Sequence, residues 1–436
     1  MPTRYVGHQA RPAPEVSELG HGNHPPDCLP KWLSKAPDPL EAREVPRSPA
    51  HGASPPSPPH GDNAGFVSPK LERFRLREAS RLLARSKNQR KCGRVRIKSD
   101  VEVSRRLDQE EGGAHFHGLV RCGSWSACPV CSAAIAAHRG QEIEEAVRVH
   151  QEGGGEVLLV TVTLRHHKGH SLQELTDVLR DSWRYMKAGA SWQGGKRRRD
   201  GTRRVGWRER LGYVGAISGT EATYGDEHGW HPHKHVLFLL EKPVPKEVIE
   251  GFLRFSRKRW VKRVSEHHGF PAPSWEHGVN IVRGENAARY LAKMGLGREV
   301  AGIHQKEGRN GNLTPFQLLG KWADEECEAA RKRWEEWTEA MHGKAQLFWS
   351  QGLRARLLPD SEEVTDEEIV EGEEGPEELV AVIPGNVWDK IRDRPNVPAE
   401  ILCAADLGGK SARVLVQGII ARELSQRNSP SRAPPC

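Results

Sequence analysis

The sequence predicts an α+β protein whose central sheet follows the split βαβ order, and three observations predict it. The stretch HPHKHVLFLL (231–240) alternates with period two, so His231, His233 and His235 share one face while Val236, Phe238 and Leu240 take the other. VLLVTVTLR (157–165), LGYVGAISGTEAT (211–223) and VNIVRG (279–284) read as three further strands. Helical patterns separate them, SLQELTDVLRDSWRYMKA over 171–188 and an amphipathic stretch over 246–266. The order β-α-β-β-α-β is the ferredoxin-like arrangement, and ENAARYLAKMGL (285–296) adds a helix after it.

This order carries geometric expectations. The histidine strand is the hairpin partner of 211–223 and lies between it and 157–165. The two crossover helices cover the face that receives Val236, Phe238 and Leu240, so the histidines look the other way. The last helix can cross that open face and bring Tyr290 towards them. Ser171 is placed as the N-cap of the first helix, with Glu174 completing a capping box.

Around this centre the chain divides by composition. Residues 1–70 hold half of the 30 prolines and little apolar periodicity, which predicts a disordered leader. A Cys-rich module is expected over 71–150, the central domain over 151–300 and a helical extension over 301–358. The extension includes a long Trp-rich helix (315–349) whose tryptophans read as a packing stripe. Residues 360–378 contain eleven acidic and no basic residues, so 359–378 is read as an acidic linker. A small helical segment and tail are expected over 379–436. No run of 18 apolar residues occurs and Met1 is not followed by a signal-peptide core, which predicts a cytoplasmic chain without a membrane partner.

Eight cysteines in 436 residues do not make a disulfide framework. Cys122, Cys128 and Cys131 sit in RCGSWSACPVC, and Cys92 lies thirty residues upstream. A tetrahedral Zn²⁺ needs four soft ligands, and a Cys-x-x-Cys knuckle supplies two at the right bite. Cys92 is the expected fourth ligand, with His115 and His117 of AHFHG competing for that place. A redox pair is the other reading of CPVC, although no βαβ pattern surrounds it.

The histidine strand points to a second metal. Neutral imidazole is a common ligand, and Glu221, on the strand paired with the histidines, can add a carboxylate. Two imidazoles and a carboxylate with open positions suit Mn²⁺ or Mg²⁺ meeting a phosphate. Net charge is +8, and KRRRDGTRR (196–204) gathers part of it. Lys196, Arg197, Arg198 and Arg199 can grip nucleic-acid phosphates there, and a solvated, disordered loop is the alternative.

Together, VTVTL (160–164), GWHPHKHVLFLL (229–240) and a helix bearing Tyr290-x-x-Lys293 resemble the HUH endonucleases. Within them the chain resembles the rolling-circle replication initiator (Rep) proteins of bacterial plasmids. CGSWSACPVC (122–131) is similar to the cysteine module that precedes the catalytic domain in many of these. The resemblance spans residues 90 to 297. It implies a metal-dependent, site- and strand-specific nick at the double-strand origin of plasmid DNA, single-stranded or in a hairpin. A tyrosine becomes joined to the 5′ phosphate and a 3′ hydroxyl is left to prime synthesis.

Carried over by position, the histidine pair falls on His233 and His235, the acidic residue on Glu221 and the nucleophile on Tyr290. Lys293, one helical turn on, can reach the same phosphate. The chain has five tyrosines, and Tyr185 is the rival nucleophile. Two departures stand out. Lys234 occupies the middle of the His pair, where the family has a bulky apolar residue. Asn286 stands where some members have a Glu, and Glu285 is about 140° round the helix from Tyr290. His231 is placed behind the metal ligands or facing DNA. A relaxase or transposase of the same chemistry, or a DNA-binding regulator with a vestigial nuclease site, are the alternatives. Origin DNA and a host helicase are the two partners considered for residues 387–423.

Overall fold

The computed structural model describes residues 69–107, 113–197, 199–283, 311–371, 376–394 and 396–425. Within them lie two antiparallel sheets with helices packed on both, a mixed α+β architecture. The first half comprises α1 (Pro69–Leu82), α2 (Lys87–Lys91), β1 (Val101–Arg106), β2 (Ala114–His117), α3 (Pro129–Glu152), β3 (Glu156–Thr163) and α4 (Leu172–Met186). Two short turns, α5 (Ala190–Gln193) and α6 (Trp207–Arg210), lead into β4 (Tyr213–Gly225), β5 (Gly229–Leu240), α7 (Lys246–Val261) and β6 (Val279–Arg283). After residue 310 come α8 (Pro315–Glu325), α9 (Glu328–Ala340), β7 (Leu347–Trp349), α10 (Leu353–Leu357) and α11 (Asp366–Glu371). The last described elements are β8 (Glu377–Ile383), α12 (Gly385–Ile391), α13 (Asn396–Ala405) and α14 (Gly409–Ser425).

The larger sheet has the order β6-β3-β5-β4-β7, all neighbours antiparallel. The histidine strand β5 therefore lies between β3 and β4. Period two sorts its side chains as the sequence implies. Val236, Phe238 and Leu240 are fully buried with Leu158, Val160 and Val162 of β3. Leu172, Leu175, Leu179 and Trp183 of α4, and Ile249, Phe252 and Trp260 of α7, close that core. Burying each such side chain contributes roughly 1.5–3 kcal/mol, so this face holds the strand in register. The other face is split. Its lower half, Val157, Leu159, Ile217, Leu237 and Leu239, packs under α3 and α10, whereas the upper half carries the histidines.

Local chemistry fixes the ends of these elements. Ser171 caps α4, its hydroxyl accepting the Glu174 amide at 3.2 Å. The β4–β5 hairpin closes at Gly229 (φ +78°), where a Cβ would lie 2.6 Å from the Lys168 Cα, so the turn needs glycine twice over. α7 runs on into six residues of π-helix, Lys262–His267. That turn brings Arg263 and His268 onto Asp181 of α4, at 2.6 and 2.7 Å.

Three differences from the sequence expectation have physical reasons. The stretch expected as one helix over 315–349 is two helices and a short strand, broken where Glu326 adopts a left-handed backbone (φ 51°). Its tryptophans do form a packing stripe: Trp334 and Trp337 are buried, and Trp337 stacks on Trp230 of β5 at 6.4 Å. The acidic stretch is partly folded: α11 docks on α3 through an Arg139–Asp366 ion pair of 3.1 Å, and Val370 is buried beside the cysteines. The C-terminal segment is not wholly helical, because β8 adds a strand to β1 and completes a three-stranded sheet, β2-β1-β8. Val380 and Ile383, three residues apart and set on one side by the register shift opposite Val103 and Ser104, enter a core with Val101, Val103 and Phe116.

Candidate metal centres

Cys92 follows α2, Cys122 lies in the loop after β2, and Cys128 and Cys131 frame the first turn of α3. Their sulfurs converge, with Cys92–Cys128 at 3.8 Å, Cys92–Cys131 at 3.5 Å and Cys122–Cys131 at 3.7 Å. A tetrahedral Zn²⁺ with Zn–S bonds near 2.3 Å has S···S edges of about 3.8 Å, so the four thiols fit such an ion. Hydrogen bonds from Cys122, Cys128 and Cys131 hold the Cys92 thiol well below its usual range, while Cys122 and Cys131 are pushed up, so the cluster shares its protons unevenly. The Arg81 guanidinium donates to the Cys92 carbonyl at 2.5 Å and steadies the loop. The competitors His115 and His117 lie elsewhere, on β2, and meet Glu377 instead.

The second centre sits on the upper half of the large sheet. Glu221 of β4 is directly opposite His233, and the antiparallel register sets His235 opposite Gly219, whose missing side chain leaves room beside it. The His233 Nε2 is 3.2 Å from Glu221 Oε2, and the His235 Nε2 is 3.8 Å from the same oxygen. All three ligand atoms lie within 4.8 Å of one another. On β3, Thr161 Oγ1 is 3.1 Å from His235 Nδ1. When Nδ1–H donates there, the ring is held with its Nε2 lone pair facing the centre.

Burial governs the electrostatics. It pushes the Glu221 carboxyl up to about 8 and lowers His233 to about 4 and His235 to about 2. The imidazoles are thus neutral at physiological pH, which is the state that ligates. With its carboxyl raised to about 8, Glu221 is protonated near neutral pH, and a divalent cation between the neutral rings would supply the countercharge that lets it ionise. Glu221, His233 and His235 are therefore a group that could hold a metal, with a donor set of two nitrogens and one oxygen.

Neighbouring residues divide between the two faces. His231 is one pair further along β5 and bonds His166 Nε2 through its Nδ1 at 2.7 Å, while His166 Nδ1 donates to the His228 carbonyl at 3.0 Å. Nothing in the sequence pattern singled out His166, whose place is set by the turn after β3. Lys234 points to the helix-covered face, with Nζ 3.5 Å from Ser218 Oγ. Burial, together with the nearby Lys187, lowers its ammonium to about 8. Tyr185 lies on the same side, beneath the Arg259 guanidinium at 4.1 Å from the ring centre, and is not near the histidines' face. Lys196, Arg197 and Arg199 are exposed on a turn in which the Gly195 amide donates to the Arg204 carbonyl at 2.8 Å. A cleft is lined by Asp181, Arg184, Lys187, Arg208 and Arg263 with Trp192 and Tyr213. Tyr290 and Lys293, with Glu285 and Asn286, lie outside the described residues, as does Arg198. Among the described residues no helix is long and apolar enough to cross a membrane.

Comparison with known proteins adds two relatives. The chain is 32% identical over 293 residues to "Protein rep" of Streptomyces lividans, covering 55% of this chain and 64% of that protein. It is 38% identical over 143 residues to a "Neomycin resistance protein" of Streptomyces cyanogenus, covering 30% of this chain and 32% of the relative. The chain thus spans less than two thirds of the length of either. No family model matches it. No solved structure matches it.

Proposed function

We propose that this chain initiates plasmid replication by nicking and rejoining one DNA strand, as an HUH endonuclease with a tyrosine nucleophile. The observation that carries the reading is the meeting of Glu221, His233 and His235 at one point on adjacent strands. The sheet order β6-β3-β5-β4, with α4 and α7 on the opposite face, agrees with a ferredoxin-like nickase core. Similarity to a protein named "Protein rep" supports the replication role. The neomycin-resistance name of the second relative assigns no chemistry to these residues.

In this reading Glu221, His233 and His235 hold Mn²⁺ or Mg²⁺, which would neutralise charge on the scissile phosphate. Tyr290 supplies the nucleophile. Its phenolic oxygen loses a proton and attacks phosphorus, a P–O bond to tyrosine forms, and the bond to the 3′ oxygen breaks, leaving a 3′ hydroxyl. The phosphotyrosine keeps the bond energy, so a 3′ hydroxyl can reseal it. Lys293 steadies the phosphate charge from one helical turn away. The four cysteines hold a structural Zn²⁺ that organises the module before the sheet. Lys196, Arg197, Arg198 and Arg199 grip DNA phosphates, and plasmid origin DNA is the substrate.

Labelled single-stranded oligonucleotides tiling a candidate origin test the reading. With Mn²⁺ the wild type cleaves one of them at a single position; EDTA and His233→Ala/His235→Ala each reduce cleavage by about a thousandfold or more, the scale of losing a principal charge stabiliser. Tight origin binding without cleavage in any metal would leave the regulator reading in its place.

A further inference from the structure

The three-stranded sheet carries a second set of ligand-type side chains that the nuclease reading does not use. Period two along β2 sends Ala114 and Phe116 into the core and leaves His115 and His117 together on the other face. Their Nε2 atoms are 3.0 Å apart. Glu377, the first residue of β8, brings Oε1 to 3.3 Å from His115 Nε2 and Oε2 to 2.9 Å from His117 Nε2. The three side chains are between 15% and 23% exposed, open enough for a water as a further ligand.

A divalent metal accounts for this geometry better than a hydrogen bond does. His115 Nδ1 is 2.8 Å from the Gly113 carbonyl, which accepts its proton and leaves the Nε2 lone pair facing inward. A proton on His117 Nε2 can serve only one of the acceptors it faces, whereas a cation serves all three groups. Tetrahedral coordination at 2.0–2.1 Å gives ligand–ligand edges of roughly 3.3 Å, close to the spacings found. Imidazole nitrogens bind Zn²⁺-class ions tightly, and Zn²⁺ is the probe for this site.

We infer that His115, His117 and Glu377 form a Zn²⁺-class metal site that fastens strand β8 to the cysteine-bearing module. The clip joins residues 260 positions apart in sequence. It couples the C-terminal segment to the N-terminal part of the fold and stands independently of the nuclease reading.

The test is zinc stoichiometry and affinity on the full chain. Wild type, His115→Ala/His117→Ala, Glu377→Gln and His233→Ala/His235→Ala are saturated with Zn²⁺, freed of excess and measured by elemental analysis, with circular dichroism as the check on folding. The inference expects His115→Ala/His117→Ala to lose one equivalent that His233→Ala/His235→Ala retains. Glu377→Gln, which keeps side-chain shape, should weaken that equivalent by more than the roughly 10- to 100-fold typical of an outer-shell partner. Amides of β8 should exchange faster in that variant. Should the double histidine variant fail to fold, Glu377→Gln alone decides. Wild-type stoichiometry and affinity in Glu377→Gln, or in both variants, would overturn the site.

Discussion

Thr161 is a small residue on which the proposed active centre depends. Its hydroxyl sits 3.1 Å from His235 Nδ1 and fixes which nitrogen faces Glu221. Thr161→Val keeps the β-branched shape that suits β3 and removes only that partner. Mn²⁺ affinity, measured by titration calorimetry, should fall about 10- to 100-fold with the melting transition little changed. Unchanged affinity would mean that the ring is oriented by packing alone. The candidate residues on β5 were legible because a strand's period is two, and a row of imidazoles beside an apolar row needs no tertiary information to be seen. Glu221 was legible once the hairpin was drawn. His166 and Glu377 were not, since each reaches its histidine partner through a fold that brings distant segments together.

At the scale of elements, the link between α3 and α10 is the sharpest case of buried charge. Glu142 of α3 is 7% exposed and accepts from Arg354 at 2.6 Å and Arg139 at 2.8 Å. Burial alone would raise its carboxyl, but hydrogen bonds from His138, Arg139 and Arg354 outweigh burial and hold it at about 2. A folded-state value below the unfolded one means that the stabilisation is complete above about 4.5 and is lost as pH falls towards about 2. Urea melts of wild type should show that slope, and Glu142→Gln should flatten it. Arg354→Ala, which removes one charged partner and leaves Arg139 in place, should cost about 1.5–3 kcal/mol near neutral pH. The capping box at Thr314–Gln317 is a milder case, and Thr314→Ala should cost about 1 kcal/mol in the same melts. Strands and amphipathic helices announced themselves by period. The break at Glu326 did not, because a left-handed glutamate carries no sequence signal and follows from how α8 and α9 pack. The pairing of β8 with β1 was hidden too, since its register is chosen by a core assembled from both ends of the described chain.

For the whole molecule, Glu221, His233 and His235 lie near the hairpin end of the sheet, whereas the basic turn precedes the opposite end of β4. If that turn grips a single strand, replacing Lys196, Arg197 and Arg199 with alanine should lower affinity similarly for all oligonucleotides. It should also reduce the slope of log affinity against log salt by about 0.7 for each phosphate that is no longer neutralised. A change confined to one sequence would point to base recognition instead. The proposed chemistry turns on Tyr290 as the nucleophile served by Glu221, His233 and His235. Its most direct test incubates the protein with Mn²⁺ and the cleaved oligonucleotide, then resolves the products on a denaturing gel. A covalent protein–DNA adduct should form in wild type and be lost in Tyr290→Phe. An adduct that persists in Tyr290→Phe would contradict it and move the nucleophile to another tyrosine, with Tyr185 on the helix-covered face the first to examine.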